Sequence, residues 1–271
     1  MARIALVISD VDGTLVTSQK RVTERTRTAV ASLHARGIGF TVVSSRPPFG
    51  LRMLIDALAI TTPVAAFNGG AIASPGLQIL NQRNVDRDVA REIVAFLDAQ
   101  RVGVWLFTGE EWLTRDLGGV HVSHETITVQ QRPHAVENFD AVIDRAGKIV
   151  GVSNDHARLE AIEAEARAYF EGRAKAVRSQ PYYLDFVAPG VDKGVAVREL
   201  AETTGVPLTE IVTLGDMEND VPMFRQAGFS IAMGNASDAV KSQAREATLT
   251  NDEDGFAAAV ERLILPRANG G

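Results

Sequence analysis

The sequence predicts an α/β fold, a doubly wound parallel-sheet core interrupted by an inserted α+β domain. Three observations predict it. The apolar run Ile4-Ala5-Leu6-Val7-Ile8-Ser9 does not alternate with polar residues, so it reads as a strand buried on both faces, as in a parallel sheet. Short apolar runs then alternate with helical stretches, and each run closes in a polar or glycine-containing turn. That rhythm breaks near Gln82 and resumes at Asp192. The expected organisation is a discontinuous core of residues 1–81 and 186–271 around an insert of residues 82–185.

The elements follow in order. Thr23 to Ala35 reads as a helix, with Gly37 just past its end. Gly39 to Val43 is a second buried strand that ends in Ser44-Ser45-Arg46-Pro47, and a helix follows over about Gly50 to Leu58. Val64 to Phe67 is a third strand, closing in the tight turn Asn68-Gly69-Gly70. The insert opens with a helix from Asp86 to Gln100 and a hairpin over Val104 to Arg115, with Gly109 near its turn. A further helix over about Asp155 to Phe170 carries Leu159, Ile162 and Ala166 at helical spacing. The core resumes with a helix from Asp192 to Thr204 and the strand Ile211 to Leu214, which runs into Gly215-Asp216. A helix over Glu218 to Ala227, the strand Phe229 to Ala232 and a last helix over Gly255 to Leu265 complete it.

Composition narrows the function classes. With 271 residues, 45% of them hydrophobic, the chain can bury a sizeable core. No apolar run approaches the roughly 18 residues that span a bilayer. The first one stops at Ser9-Asp10, too early for a signal peptide. The absence of cysteine excludes disulfides, thiolate catalysis and Cys-ligated zinc. A net charge of −6 argues against a nucleic-acid footprint, which needs a basic face. The expectation is a cytoplasmic enzyme, monomer or homodimer, acting on a small molecule with neither membrane nor nucleic-acid partner.

The chemistry begins at Asp10-Val11-Asp12-Gly13-Thr14, at the carboxyl end of the first strand, where open α/β sheets bind ligands. Carboxylates spaced i, i+2 on extended backbone point to one side. At about 4 Å and an effective dielectric of about 20 they repel by roughly 4 kcal/mol, so a cation or a shared proton must resolve the pair. Ser44, Lys193 and Gly215-Asp216-Met217-Glu218-Asn219-Asp220 fall at other strand ends or helix starts and converge on the same sheet edge. Carboxylates there suit Mg²⁺, while a hydroxyl, an ammonium and backbone N–H groups suit phosphate oxygens. The assigned roles are Asp10 as nucleophile and Asp12 as acid–base catalyst, protonated part of the time by its neighbour's charge. Lys193 offsets charge, Ser44 donates to the phosphoryl group, and Asn219 donates to phosphate or holds Lys193. Asp216 completes the metal site with Asp10 and Asp12, and Asp220 supports it.

These segments, in this order, resemble the four motifs of the haloacid dehalogenase-like hydrolase superfamily. Asn68-Gly69-Gly70, Asp192-Lys193-Gly194, Ala232-Met233-Gly234-Asn235-Ala236 and Asn251-Asp252-Glu253-Asp254-Gly255 further resemble its Cof-type sugar-phosphate phosphatases. The resemblance covers roughly residues 1–80 and 186–265, and the insert's place between the second and third motifs is similar to that of the family's cap. It implies a Rossmann-like core, Mg²⁺, and an aspartyl-phosphate mechanism in which the Asp12 backbone carbonyl also touches the metal. Substrate contacts implied by it fall on Ser44, Ser45, Arg46, Asn68, Gly69 and Asn219. Ser45 departs from the pattern, which usually has glycine before Arg46, and crowds the phosphate loop slightly.

The expected function is therefore Mg²⁺-dependent hydrolysis of a small phosphomonoester, a sugar phosphate or related metabolite. A phosphomutase would return the phosphoryl group to the sugar. A non-catalytic phosphometabolite-binding protein would need no nucleophile paired with an acid. In the insert, His121, His124 and His134 match no well-defined zinc spacing. His121, His124, Arg115 and Arg132 are read either as solvent-facing side chains or as contacts to the leaving group, and Trp105 and Trp112 either as core or as a substrate platform.

Overall fold

The computed structural model describes residues 3–268, and residues 1, 2 and 269–271 at the ends of the expected core lie outside the described residues. The chain opens with β1 (Leu6–Ser9), α1 (Glu24–His34), β2 (Gly39–Val42), α2 (Arg52–Ala57), β3 (Val64–Ala66), β4 (Ala71–Ala73) and β5 (Ile79–Gln82). Next come α3 (Arg87–Ala99), β6 (Gly103–Phe107), β7 (Trp112–Thr114), α4 (Val122–Val129), β8 (His134–Ala135), β9 (Lys148–Val152), α5 (His156–Tyr169), β10 (Lys175–Gln180) and β11 (Tyr183–Val187). The last part holds α6 (Lys193–Thr204), β12 (Ile211–Gly215), α7 (Val221–Gln226), β13 (Phe229–Ala232), α8 (Asp238–Lys241), β14 (Glu246–Ala247) and α9 (Gly255–Ala259). A π turn then leads into α10 (Leu265–Ala268).

Five strands form the parallel sheet of the core in the order β14-β13-β12-β1-β2, as the unalternating first run predicts. Helices cover both faces. Val7 packs into the cluster that holds Val30 and Leu33 of α1 and Phe256 of α9. Leu6 and Ile8 point the other way, to Val197 and Leu200 of α6 and Met223 of α7. All four residues of β1 are buried in consequence.

Several local features differ from the sequence reading. β3 touches the parallel sheet through one bridge, Val43 to Ala65, and otherwise pairs antiparallel with β4, which pairs with β5. The helix after β2 starts as a 3-10 turn over Pro48–Leu51. α4 carries no sequence signal, because Val, Ser, His, Thr and Ile make most of it and none favours a helix strongly. The last helix changes from α to π at Val260.

A second, mainly antiparallel sheet lies between Gly103 and Val187 in the order β10-β11-β9-β6-β7-β8. Its side chains alternate. Val104, Leu106, Leu113 and Ile149 face the cluster formed with α3 and α5. Trp105, Phe107, Trp112, Val150 and Tyr183 face the opposite way and join the apolar cluster of the parallel core, which includes Val11 and Leu51. Both tryptophans are therefore core, and Trp112 stacks on Phe107 at 5.6 Å. Trp112→Ala is expected to cost about 3–5 kcal/mol in urea denaturation, because no neighbour can refill so large a void.

Candidate active site

The site forms where β1, β2 and β12 end. The Asp10 N–H donates to the Leu214 carbonyl at 2.9 Å, which fixes the backbone of Asp10 against the neighbouring strand. The chain then leaves the extended conformation, because the Val11 carbonyl accepts from the N–H groups of Thr14, Leu15 and Val16. Gly13 adopts φ +88°, and a Cβ there would lie 2.4 Å from Asp216 Oδ2. Only glycine lets the turn bring Asp216 so close. Thr14 Oγ1 donates to Asp216 Oδ1 at 2.9 Å, and Asn235 Nδ2 donates to Asp216 Oδ2 at 3.2 Å and to the Gly13 carbonyl at 2.9 Å.

Lys193 is the first residue of α6, whose N-cap Asp192 accepts from the Val195 N–H. Its Nζ lies 2.6 Å from Asp10 Oδ1 and 2.5 Å from Asp220 Oδ1, and all three side chains are buried. Asp220 Oδ2 accepts from the N–H groups of Asp216 and Met217, so this carboxylate shapes the loop and holds the ammonium at once. Burial alone would lower the Lys193 pKa, but the charges of Asp10 and Asp220 raise it well above the ordinary value. Asp10, Asp216 and Asp220 each offer an oxygen within 4.8 Å of the others. Burial raises Asp10 well above the usual carboxylate range against the pull of Lys193, with Asp220 and Asp216 adding to the rise. Burial, with the charge of Asp220, pushes Asp216 up to about 7. Three crowded carboxylates facing one ammonium form a donor set of hard oxygens short of positive charge, which fits Mg²⁺.

Comparison with known proteins identifies the family. The profile of the haloacid dehalogenase-like hydrolases matches residues 7–260. The chain belongs to that family. The hydrolase is 29% identical to a haloacid dehalogenase-like hydrolase from Bacteroides thetaiotaomicron, with a TM-score of 0.87 over 96% of this chain and 100% of the other. It is 27% identical to the phosphatase YwpJ of Bacillus subtilis over 96% of this chain and 99% of the relative. It is 25% identical to the 5-amino-6-(5-phospho-D-ribitylamino)uracil phosphatase YwtE of Bacillus subtilis, over 94% of this chain and 96% of the relative.

The second aspartate of the first motif corrects an expectation. Because the backbone turns at Val11, strand alternation does not apply, and the Asp12 carboxylate faces away from the three-aspartate cluster. Arg46 forks onto it, Nε to Oδ2 and Nη2 to Oδ1, both at 2.8 Å, and Lys20 Nζ lies 2.7 Å from Oδ1. Burial works against ionisation, yet Arg46 and then Lys20 hold the Asp12 pKa well below the carboxylate range. Asp12 is thus ionised, and the neighbour's charge does not keep a proton on it.

The other expected contacts are distributed as follows. Ser44 Oγ accepts from the Arg46 N–H at 3.1 Å and is buried, while the Ser45 carbonyl accepts from Lys148 Nζ at 2.9 Å. Arg46 is also buried, its Nη1 donating to the Thr128 carbonyl at 2.9 Å, so it ties the loop after β2 to α4. Asn68 adopts φ +57°, and Gly69 at φ +99° would bring a Cβ within 2.7 Å of the Asp192 carbonyl. Asn219 Nδ2 donates to Asn68 Oδ1 at 3.3 Å, leaving Asn68 Nδ2 buried and without a partner. A buried free donor of this kind is what a phosphoryl oxygen satisfies.

Side chains of α4 and of the turn into β11 sit over Asp12. His124, Glu125, Tyr182 and Tyr183 close the space above Asp12, Lys20 and Arg46 to about 20 Å³. His121 stacks on Tyr182 at 4.3 Å, and Tyr182 Oη lies 3.3 Å from His124 Nε2. His134 and Arg132 are exposed, and Arg115 pairs with Asp98. Among the described residues no histidine joins a three-ligand cluster. Beside Asp216 and Asn219, a larger cavity of about 610 Å³ opens between the core loops and α5 and β10, and Gln180 borders both spaces. Lys20 and Gln180 are site residues that the sequence reading missed, and Thr14 and Asn235 fall within its motifs but are given no role there.

Proposed function

We propose that the hydrolase is a Mg²⁺-dependent phosphatase that cleaves small phosphomonoesters through a phosphorylated Asp10. The observation that carries the reading is Lys193 between Asp10 and Asp220, with Asp216 completing a three-carboxylate cluster. Asp10, Asp216 and the Asp12 carbonyl would hold the metal, with Asp220 anchoring the loop. When bound, the metal supplies positive charge to the transferring phosphoryl group.

Asp10 attacks phosphorus through a carboxylate oxygen, forming the O–P bond as the bond to the ester oxygen breaks. The ester oxygen leaves as an alcohol by taking a proton that the Lys20 ammonium, hydrogen-bonded to Asp12 Oδ1, delivers through the ionised Asp12 carboxylate. Arg46 cannot give up a proton and serves to aim the Asp12 carboxylate. Lys193, Ser44 and the free donor of Asn68 hold the phosphoryl oxygens. In the second half, a water attacks phosphorus as Asp12 takes its proton and returns it to Lys20, the bond from phosphorus to Asp10 breaks, and phosphate is released with Asp10 restored. The roughly 20 Å³ above Asp12 admits about one water, which suits that step. Three relatives are named for a phospho-ribitylamino compound, and this supports a small polyol phosphate as substrate class.

Metal removal tests the reading. Chelation is expected to lower phosphate release from an aryl phosphate by on the order of a hundredfold or more, with Mg²⁺ restoring it. The metal-free protein carries a second signature. Asp216 titrates at about 7 when folded, and Asp10 is raised too, against about 3.9 unfolded. The folded chain then binds protons that the unfolded chain has released, so stability falls as pH rises from about 4 to about 7. Mg²⁺ is expected to flatten that fall in urea denaturation, and an unchanged slope counts against a metal on these carboxylates.

A further inference from the structure

The 610 Å³ cavity is lined by Asp216 and Asn219 of the candidate site and adjoins the space above Asp12 at Gln180. Arg167 and Arg178 are the guanidinium groups of its lining, facing the carboxylates of Glu160, Glu163, Asp216 and Glu218. Glu163 occupies both arginines. Its Oε1 lies 2.6 Å from Arg167 Nη2, its Oε2 lies 2.8 Å from Arg178 Nε, and it also accepts from the Arg178 N–H. Glu160 stands 3.5 Å from Arg178 Nη2 as a further partner. Glu163 is itself buried, so its carboxylate depends on those two arginines. With Asp216 assigned to the metal, three carboxylates still face two guanidinium groups.

We infer that Glu163 is a specificity-determining residue that turns the cavity against phosphate esters whose leaving group carries a second negative charge. This rests on the phosphatase reading and adds a selection rule to it. An acidic leaving group meets an excess of carboxylates, and it can recruit Arg178 only by stripping a buried carboxylate of its partner. A neutral polyol meets the amides of Gln180, Asn219 and Asn235 and displaces no ion pair.

Sorbitol 6-phosphate and 6-phosphogluconate make a matched pair of probes, alike except that one ends in an alcohol and the other in a carboxylate. The polyol phosphate is expected to have the higher kcat/KM by at least about tenfold, or about 1.4 kcal/mol. Glu163→Gln keeps an acceptor for Arg178 and removes the charge, and it is expected to narrow that ratio severalfold through a lower KM for the acid. A merely structural loss would lower both esters alike. Should Glu163→Gln fold poorly, Glu160→Gln on the exposed rim is expected to narrow the ratio in the same direction by less. Equal turnover of the two esters by the native enzyme, or a ratio unmoved in the folded variants, overturns this inference. Aryl phosphate turnover then still stands as the separate measure of phosphatase activity. Loss of turnover on all three esters overturns both.

Discussion

Asp10→Asn is expected to abolish phosphate release, by on the order of 10⁴-fold or more, because an amide cannot form the phosphoryl ester. The fold is expected to survive. Asp10 is a buried carboxylate crowded by Asp220 and Asp216, and its pKa is raised chiefly by burial. An asparagine of the same shape removes that crowding and still offers Lys193 an acceptor. The thermal midpoint should therefore hold or rise while turnover of an aryl phosphate disappears. Undiminished turnover in a folded variant would sink the covalent mechanism.

Lys193→Met is expected to damage catalysis and folding together. The ammonium is buried and bridges Asp10 and Asp220. Removing one partner of a buried ion pair costs about 3–5 kcal/mol, since the charges left behind are neither solvated nor paired. The same ammonium is the fixed positive group beside the attacking carboxylate, so kcat at saturating Mg²⁺ should fall by about 10²–10³-fold. Urea midpoints and single-turnover rates read the two losses separately. A variant as stable and as fast as the parent would show that the buried ammonium contributes to neither.

Much of this arrangement is legible in the sequence, and the reasons are local. Asp10, Asp216 and Lys193 stand at a strand end, a strand end and a helix start, so parallel topology alone brings their backbones to one edge of the sheet. The parallel sheet follows from the unalternating apolar runs of β1 and β12. Side-chain direction is another matter. Asp12 turns from the cluster because of three hydrogen bonds to one carbonyl, that of Val11, and no spacing rule encodes them. Its partner Arg46 is read from the motif as a substrate contact, but its guanidinium is bound to Asp12 and to α4. Lys20 lies outside every motif, and as one of five lysines in the chain it is the nearest thing to a signal. The pairing of Glu163 with Arg178 joins a helix to a strand fifteen residues on, which periodicity does not report.

The apolar face of the second sheet has an energetic consequence. Trp105, Phe107, Trp112 and Tyr183 are continuous with Val11 and Leu51 beneath them, and about 20 Å³ remain above Asp12. An ester oxygen bearing a carbon chain needs more than this volume at Asp12, and room made there by parting Tyr183 from the apolar face wets that face. Wetting apolar surface raises heat capacity, so the opening equilibrium is curved in temperature. The apparent affinity for substrate inherits that curvature. A plot of ln KM against reciprocal temperature bends, even though the bonds made to the phosphoryl group do not change.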